Sequence, residues 1–184
     1  MTELSTIPGI LESYYRRYAY PDWLRIHSTL VGRLATLLAG AHAAAGAAID
    51  PELVGLGGYL HDIGKSPRLS GDGRPHHLLG PLVLAAEGRR DLAELSRRHP
   101  VSAPHDPATA PRNLAERIVY YCDRRGGQSV VTLEERIDEQ LARYPDHAHL
   151  RDADRAAARA IEAELFLGID LRPADLAHLT EAIR

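Results

Sequence analysis

Apolar residues recur at helical spacing along most of the chain. After Pro21 and Asp22, the residues Leu24, His27, Val31, Leu34 and Leu38 fall at three- and four-residue intervals, which predicts one long helix with this stripe turned inward. Asp50 followed by Pro51 forms an N-cap and first-turn pair for a second helix through Leu53, Leu56 and Leu60. That helix should stop around Gly64, because Pro67 cannot continue it. Residues 66–75, SPRLSGDGRP, have the composition of a loop. A helix resumes near His76 through Leu79, Leu82 and Val83 and ends at Gly88, and RRDLAELSRRH predicts another, broken at Pro100. Four prolines in PVSAPHDPATAP, residues 100–111, dictate a stiff loop. From Arg112 a helix carries Leu114, Ile118 and Tyr121 towards Asp123 and ends at Gly126-Gly127. Thr132 and Glu135 make a capping box for a helix through Ile137 and Leu141. Two more amphipathic patterns follow, at about 147–167 and 173–183. With no convincing strand, repeat or linker, the pattern predicts an all-α helical bundle and one domain over residues 1–184.

Composition narrows the picture modestly. A chain of 184 residues fits one domain with a sizeable core. A net charge of −3 gives no reason to expect a nucleic-acid scaffold. A single cysteine, Cys122, excludes an intramolecular disulfide and suits a reducing compartment. The segment MTELSTIPGILESYYRRYAY lacks the basic start and apolar run of a signal peptide. The most apolar stretch, LATLLAGAHAAAGAA, is interrupted by Gly40, His42 and Gly46, so it reads as a tightly packed helix rather than a membrane span. The expectation is a soluble cytoplasmic protein. Ten histidines beside one phenylalanine and one tryptophan are a skewed allotment, and histidine is the commonest metal ligand.

The histidines concentrate the chemistry at four places: RIHSTL at 25–30, YLHDIGK at 59–65, PHHLLG at 75–80 and YYCDRR at 120–125. His27 sits on the inward face of its helix, where a single histidine is more often a core residue satisfied by a hydrogen bond. His61 and Asp62 are adjacent near a helix end. Neighbouring residues on a regular helix point about 100° apart, so both reach one centre only where the helix frays or tightens, as the Gly64 stop allows. Asp123 lies among Tyr120, Tyr121 and Cys122 and needs a partner, either a metal or one of Arg117, Arg124 and Arg125.

The order His, His-Asp, Asp resembles the HD superfamily of metal-dependent phosphohydrolases. HDIGK at 61–65 is similar to its core motif, HSTLVGRLATLLA at 27–39 to its first-histidine helix, and LAERIVYYCDRR at 114–125 to its last-ligand helix. TLEERI at 132–137 resembles what often follows there. The resemblance spans about residues 21–145, making this the core of an HD-type domain on which helices of 146–184 would pack. It implies that His27, His61, Asp62 and Asp123 bind a metal. His76, in an H-x-x-x-G pattern ending at Gly80, and His99 would extend the site to two ions bridged by Asp62. His77 is the alternative to His76, and a solvated helix end is the alternative for His99. Fe or Mn fit first, with Co, Ni, Zn or Mg as the other candidates.

The activity so implied is hydrolysis of a phosphomonoester or phosphodiester in a nucleotide or other small phosphorylated metabolite. A metal-bound hydroxide would attack phosphorus, with Asp62 bridging the ions and orienting it. Lys65 would stabilise phosphate oxygens or pair with a ligand carboxylate. Arg68, Arg74, Arg124 and Arg125 are candidate phosphate clamps, and His105 in the proline loop is a candidate substrate contact; for each, an ordinary surface role is the competing reading. Tyr14, Tyr15 and Tyr18 would stack on a base or pack on the bundle. The chain lacks the glycine-tyrosine-proline extension of cyclic di-GMP phosphodiesterases. It also lacks the acidic pair after HD of guanosine tetraphosphate hydrolases. Small HD proteins that split diadenosine tetraphosphate are closer in size. A di-iron oxygenase on the same fold and a non-catalytic binding module are the rival classes. The partner expected is a small phosphorylated molecule, not a membrane, with homo-oligomerisation left open.

Overall fold

A long amphipathic helix needs a partner for its apolar stripe, and α2 (Asp22–Ala44) organises the fold on that basis. The computed structural model describes residues 9–143, 145, 149 and 151–177. Leu24, Val31, Leu34 and Leu38 are fully buried in its core, and His27 lies on the same stripe. α3 (Pro51–Leu60) packs along α2. Its start is fixed by Asp50, whose carboxylate accepts from the amides of Glu52 at 2.9 Å and Leu53 at 3.2 Å. The two helices touch backbone to backbone at Gly58, where a Cβ would sit 2.8 Å from Gly32 Cα and 3.0 Å from the Val31 carbonyl oxygen.

α4 (His76–Ala86) and α5 (Arg90–Arg97) form a hairpin against the end of α3, and α6 (Leu114–Arg125) crosses α2 and α3. α7 (Leu133–Arg143) and α8 (Arg151–Leu165) pack on α6 and on each other. The expected capping box holds α7: Thr132 donates its amide to Glu135 Oε2 at 2.8 Å, and the Glu135 amide donates to Thr132 Oγ1 at 3.2 Å. The proline loop after α5 is tied down by buried Arg98, which donates to the Ala108 and Ala110 carbonyls at 3.2 and 2.8 Å and pairs with Glu116 at 3.4 Å. Among the described residues there is no strand, only an isolated bridge between Gly126 and Val130. No helix among the described residues is long and apolar enough to cross a membrane.

Three details depart from the periodicity. α3 ends at Leu60, earlier than the Gly64 stop, and the chain tightens into a 3₁₀ turn at Ile63–Lys65. The loops expected at 66–75 and 100–111 each contain a further 3₁₀ turn, Pro67–Leu69 and Ala103–His105. A first helix, α1 (Gly9–Arg17), precedes α2. It buries Leu11, Tyr14 and Tyr15 at helical spacing, and Tyr15 stacks on Tyr20 with centroids 4.6 Å apart, so these tyrosines belong to the bundle. Of the pattern at 173–183, residues 178–183 lie outside those described.

Candidate metal centre

Five elements converge on one buried cluster. His27 comes from the second turn of α2, and His61 caps the end of α3 in helical conformation. Asp62 leaves the helix with φ −99° and ψ 18°, which re-aims it relative to the regular 100° step. His76 opens α4, His99 follows α5, and Asp123 lies late in α6. All but His76, which is partly exposed, are buried. Gly64 permits the approach of α4 to the turn, since a Cβ there would lie 2.1 Å from the His76 carbonyl oxygen.

The two oxygens of Asp62 face different histidine pairs. Oδ2 lies 3.3 Å from His27 Nε2 and 3.4 Å from His61 Nε2. Oδ1 lies 3.2 Å from His99 Nε2 and 3.5 Å from His76 Nε2. Within each pair the nitrogens face each other, 3.2 Å apart for His27 and His61 and 3.1 Å apart for His76 and His99. Asp123 Oδ1 completes the first group, 3.3 Å from His27 and 3.7 Å from His61. Two rings are locked from behind: His61 Nδ1 donates to the Gly58 carbonyl at 2.7 Å and His99 Nδ1 to the Ser96 carbonyl at 2.5 Å. A carbonyl only accepts, so Nδ1 carries the proton, and in the neutral ring Nε2 presents a lone pair to the cluster. Ser96 Oγ also donates to the His61 carbonyl at 2.8 Å, joining the two backbones.

This set fits a divalent ion. Asp62 Oδ1 is buried and accepts no hydrogen bond, an arrangement that needs a cation or a donor. The ligand atoms of His27, His61 and Asp123 lie within 4.8 Å of one another, as do those of His61, Asp62 and His99. Mixed imidazole and carboxylate donors suit first-row transition metals.

The electrostatics divide the cluster in the same way. Burial alone would raise the Asp62 carboxyl, but Lys65, His61 and His27 hold it well below the usual range. Asp123 is likewise held well below it, with Arg124, His27 and His61 outweighing burial. Burial pushes His61 down, yet Asp62 and Asp123 raise it to about 9. Burial drives His76 down to about 3 and also lowers His99, so that pair is neutral.

A cavity of about 310 Å³ opens onto the cluster, lined by Lys65, His76, His77, His99, Asp123 and Arg124, with Pro75, Pro100, Val101, Ser102 and Gln140 as further walls. Of the candidate substrate residues, Lys65 is here, its ammonium 2.7 Å from Asp62 Oδ2. Arg124 lines the cavity too, but its guanidinium is bound to Asp123 and to the His99 carbonyl (3.2 Å) and lies 5.1 Å over the Tyr120 ring. The other basic candidates are placed elsewhere. Arg68 is exposed on its 3₁₀ turn, and Arg74 is bound to Asp72 at 2.6 Å; neither lines the cavity. Arg125 is buried, donating to Tyr121 OH at 2.6 Å and to the Val131 and Pro173 carbonyls at 2.7 and 3.1 Å. His105 does not line the cavity: its Nε2 lies 2.9 Å from buried Asp154 of α8. His76, not His77, meets Asp62, and His99 is buried rather than a solvated helix end. His42 is buried on α2 and His149 exposed, while His147 and His178 lie outside the described residues.

The sequence reading missed two residues here. Arg136 on α7 is buried, with Nη2 3.5 Å from Asp123 Oδ1 and Nε donating to the Asp123 carbonyl at 3.3 Å. Gln140 follows one turn later. Both share the inward stripe of Leu133 and Ile137, a signal present in the sequence as two polar residues at apolar positions.

In comparisons with known proteins, the family model described as HD domain matches residues 24–125, a segment that contains all six clustered side chains. No curated protein and no solved structure matches the chain.

Proposed function

The chain belongs to the HD-domain family, and from that premise we propose that it is a divalent-metal-dependent phosphohydrolase acting on a nucleotide or other small phosphorylated metabolite. The observation that carries this reading is the division of Asp62: one carboxylate oxygen faces His27 and His61, the other faces His76 and His99. On this reading His27, His61, Asp62 and Asp123 would hold one ion, and Asp62, His76 and His99 a second. Such ions lower the pKa of coordinated water towards neutrality and polarise a phosphoryl oxygen.

The chain's own groups do the rest. The carbonyls of Gly58 and Ser96 fix which nitrogen of His61 and His99 faces inward. Arg136 steadies Asp123 from α7. Lys65, a quarter exposed beside Asp62, is the cation best placed to meet a phosphate entering the cavity. The partner is a small molecule, because Lys65, His76, His99 and Asp123 line a cavity of about 310 Å³ rather than a broad face.

The test is metal content of protein purified without chelator, read with phosphate release from a generic phosphoester and a nucleotide panel. About two equivalents with hydrolysis are expected for a two-ion site. His61→Ala and Asp62→Ala should each abolish metal retention and hydrolysis while helical circular dichroism stays near wild type. Unchanged metal content in both variants would sink the centre, and absence of hydrolysis after Mn, Fe(II), Co or Ni is added would sink the enzyme.

A further inference from the structure

α7 turns Leu133, Arg136, Ile137 and Gln140 inward, none more than 9 % exposed. Leu133 and Ile137 join the apolar core, and Arg136 reaches Asp123 and Glu139. Gln140 does neither. Its Oε1 is buried and has no hydrogen-bond partner, although the residue lines the cavity that contains His76, His99 and Asp123. A leucine would fill an inward helix position without carrying a polar atom into it, and folded chains leave few such atoms unpaired.

The cavity is the space from which a partner can reach this oxygen. Lys65 and Arg124 give it positive charge beside the ligand cluster, while Gln140 contributes a neutral amide to the same cavity of about 310 Å³. An amide tip carries an acceptor and two donors in one plane and can turn over about its last bond. It therefore pairs with a planar edge that presents both kinds of group, as glutamine does with a purine edge.

Resting on the phosphohydrolase reading, we propose that Gln140 is a specificity-determining residue: it hydrogen-bonds the group esterified to the phosphate and selects one with a planar donor–acceptor edge, such as a nucleobase. The helix that carries it lies beyond residues 24–125, so selection comes from an element outside the segment that supplies the metal ligands.

Titration calorimetry on the protein as purified tests this, with the four common nucleoside 5′-monophosphates and inorganic phosphate as probes. At least one monophosphate should bind the wild type more tightly than phosphate does. In Gln140→Leu that preference should shrink about tenfold, the worth of one hydrogen bond. The variant should melt at or above the wild-type temperature, because it loses an unsatisfied buried group. The assignment is overturned if the preference survives the substitution, or if no monophosphate outbinds phosphate in the wild type. It also falls if Gln140→Leu melts about 5 °C or more lower, or does not fold, since the amide would then be paired within the chain. The two readings fail separately. A wild type that binds a monophosphate through Gln140 but retains no metal and releases no phosphate refutes the hydrolase alone. A metal-dependent hydrolase whose preference ignores Gln140 refutes the contact alone.

Discussion

Acid should strip metal from this centre chiefly through His61. Its Nε2 lies 3.4 Å from Asp62 Oδ2 and 3.7 Å from Asp123 Oδ1. Burial favours the neutral ring, but the two carboxylates outweigh it and raise the pKa to about 9, against 6.5 for an ordinary histidine. The folded, metal-free chain therefore keeps a proton that the unfolded chain releases between those values. The stabilisation is fully present below about pH 6.5 and is lost as pH rises through about 9; at ~1.4 kcal/mol per pH unit it amounts to about 3 kcal/mol. A divalent ion needs the same nitrogen deprotonated and so competes with that proton. Apparent metal affinity should rise about tenfold per pH unit across this window, with about one proton released per protein at pH 7. His76 and His99 are already neutral there and add none. Calorimetric titration of Mn²⁺ into chelator-stripped protein, in two buffers of different ionisation enthalpy, counts the protons. Thermal unfolding supplies the second readout: the stripped protein should melt lower as pH rises, while the increment from added Mn²⁺ grows. No proton release, together with a pH-independent increment, would refute the reasoning.

Two substitutions test the architecture around the site. In Gly64→Ala the new Cβ would meet the His76 carbonyl at 2.1 Å, so the start of α4 must retreat and draw His76 from Asp62. Bound metal should drop to about one equivalent, with a loss of roughly 1–3 kcal/mol in denaturant unfolding; two retained equivalents would mean that the turn yields instead. His105→Ala removes the contact with buried Asp154 and should lower stability by about 1–3 kcal/mol while kcat/KM stays within about twofold. A large rise in KM would return His105 to the substrate.

The helices that carry ligands were legible because each is amphipathic over several turns. Leu24, Val31, Leu34 and Leu38 announce α2, and His27 shares their stripe. The partners of the arginines were not. Arg124 and Arg125 are adjacent and read alike in sequence, but on a helix they diverge by about 100°. One meets Asp123 and the His99 carbonyl, the other Tyr121, Val131 and Pro173. Tertiary packing decides each destination, and a neighbour 48 residues away, as Pro173 is for Arg125, leaves no local trace. α1 was hidden for a related reason: its buried face is made of tyrosines and one leucine, which read as a polar, aromatic segment.

The early end of α3 explains why the site has two sides. Had the helix continued to Gly64, Asp62 would have followed His61 by the regular step of about 100°. By ending at Leu60 and tightening at Ile63–Lys65, the chain brings Asp62 between two histidine pairs of different origin. One pair comes from α2 and α3; the other stands at the start of α4 and just beyond α5. Gly64 thus has a packing role rather than the terminating one its sequence position suggests, because it lets the α4 backbone come close enough for His76 to reach Oδ1. The spacing of HDIGK, which the sequence offers only as a motif, is thus a steric requirement: the ligand pair, the tight turn and the close approach must follow one another within five residues.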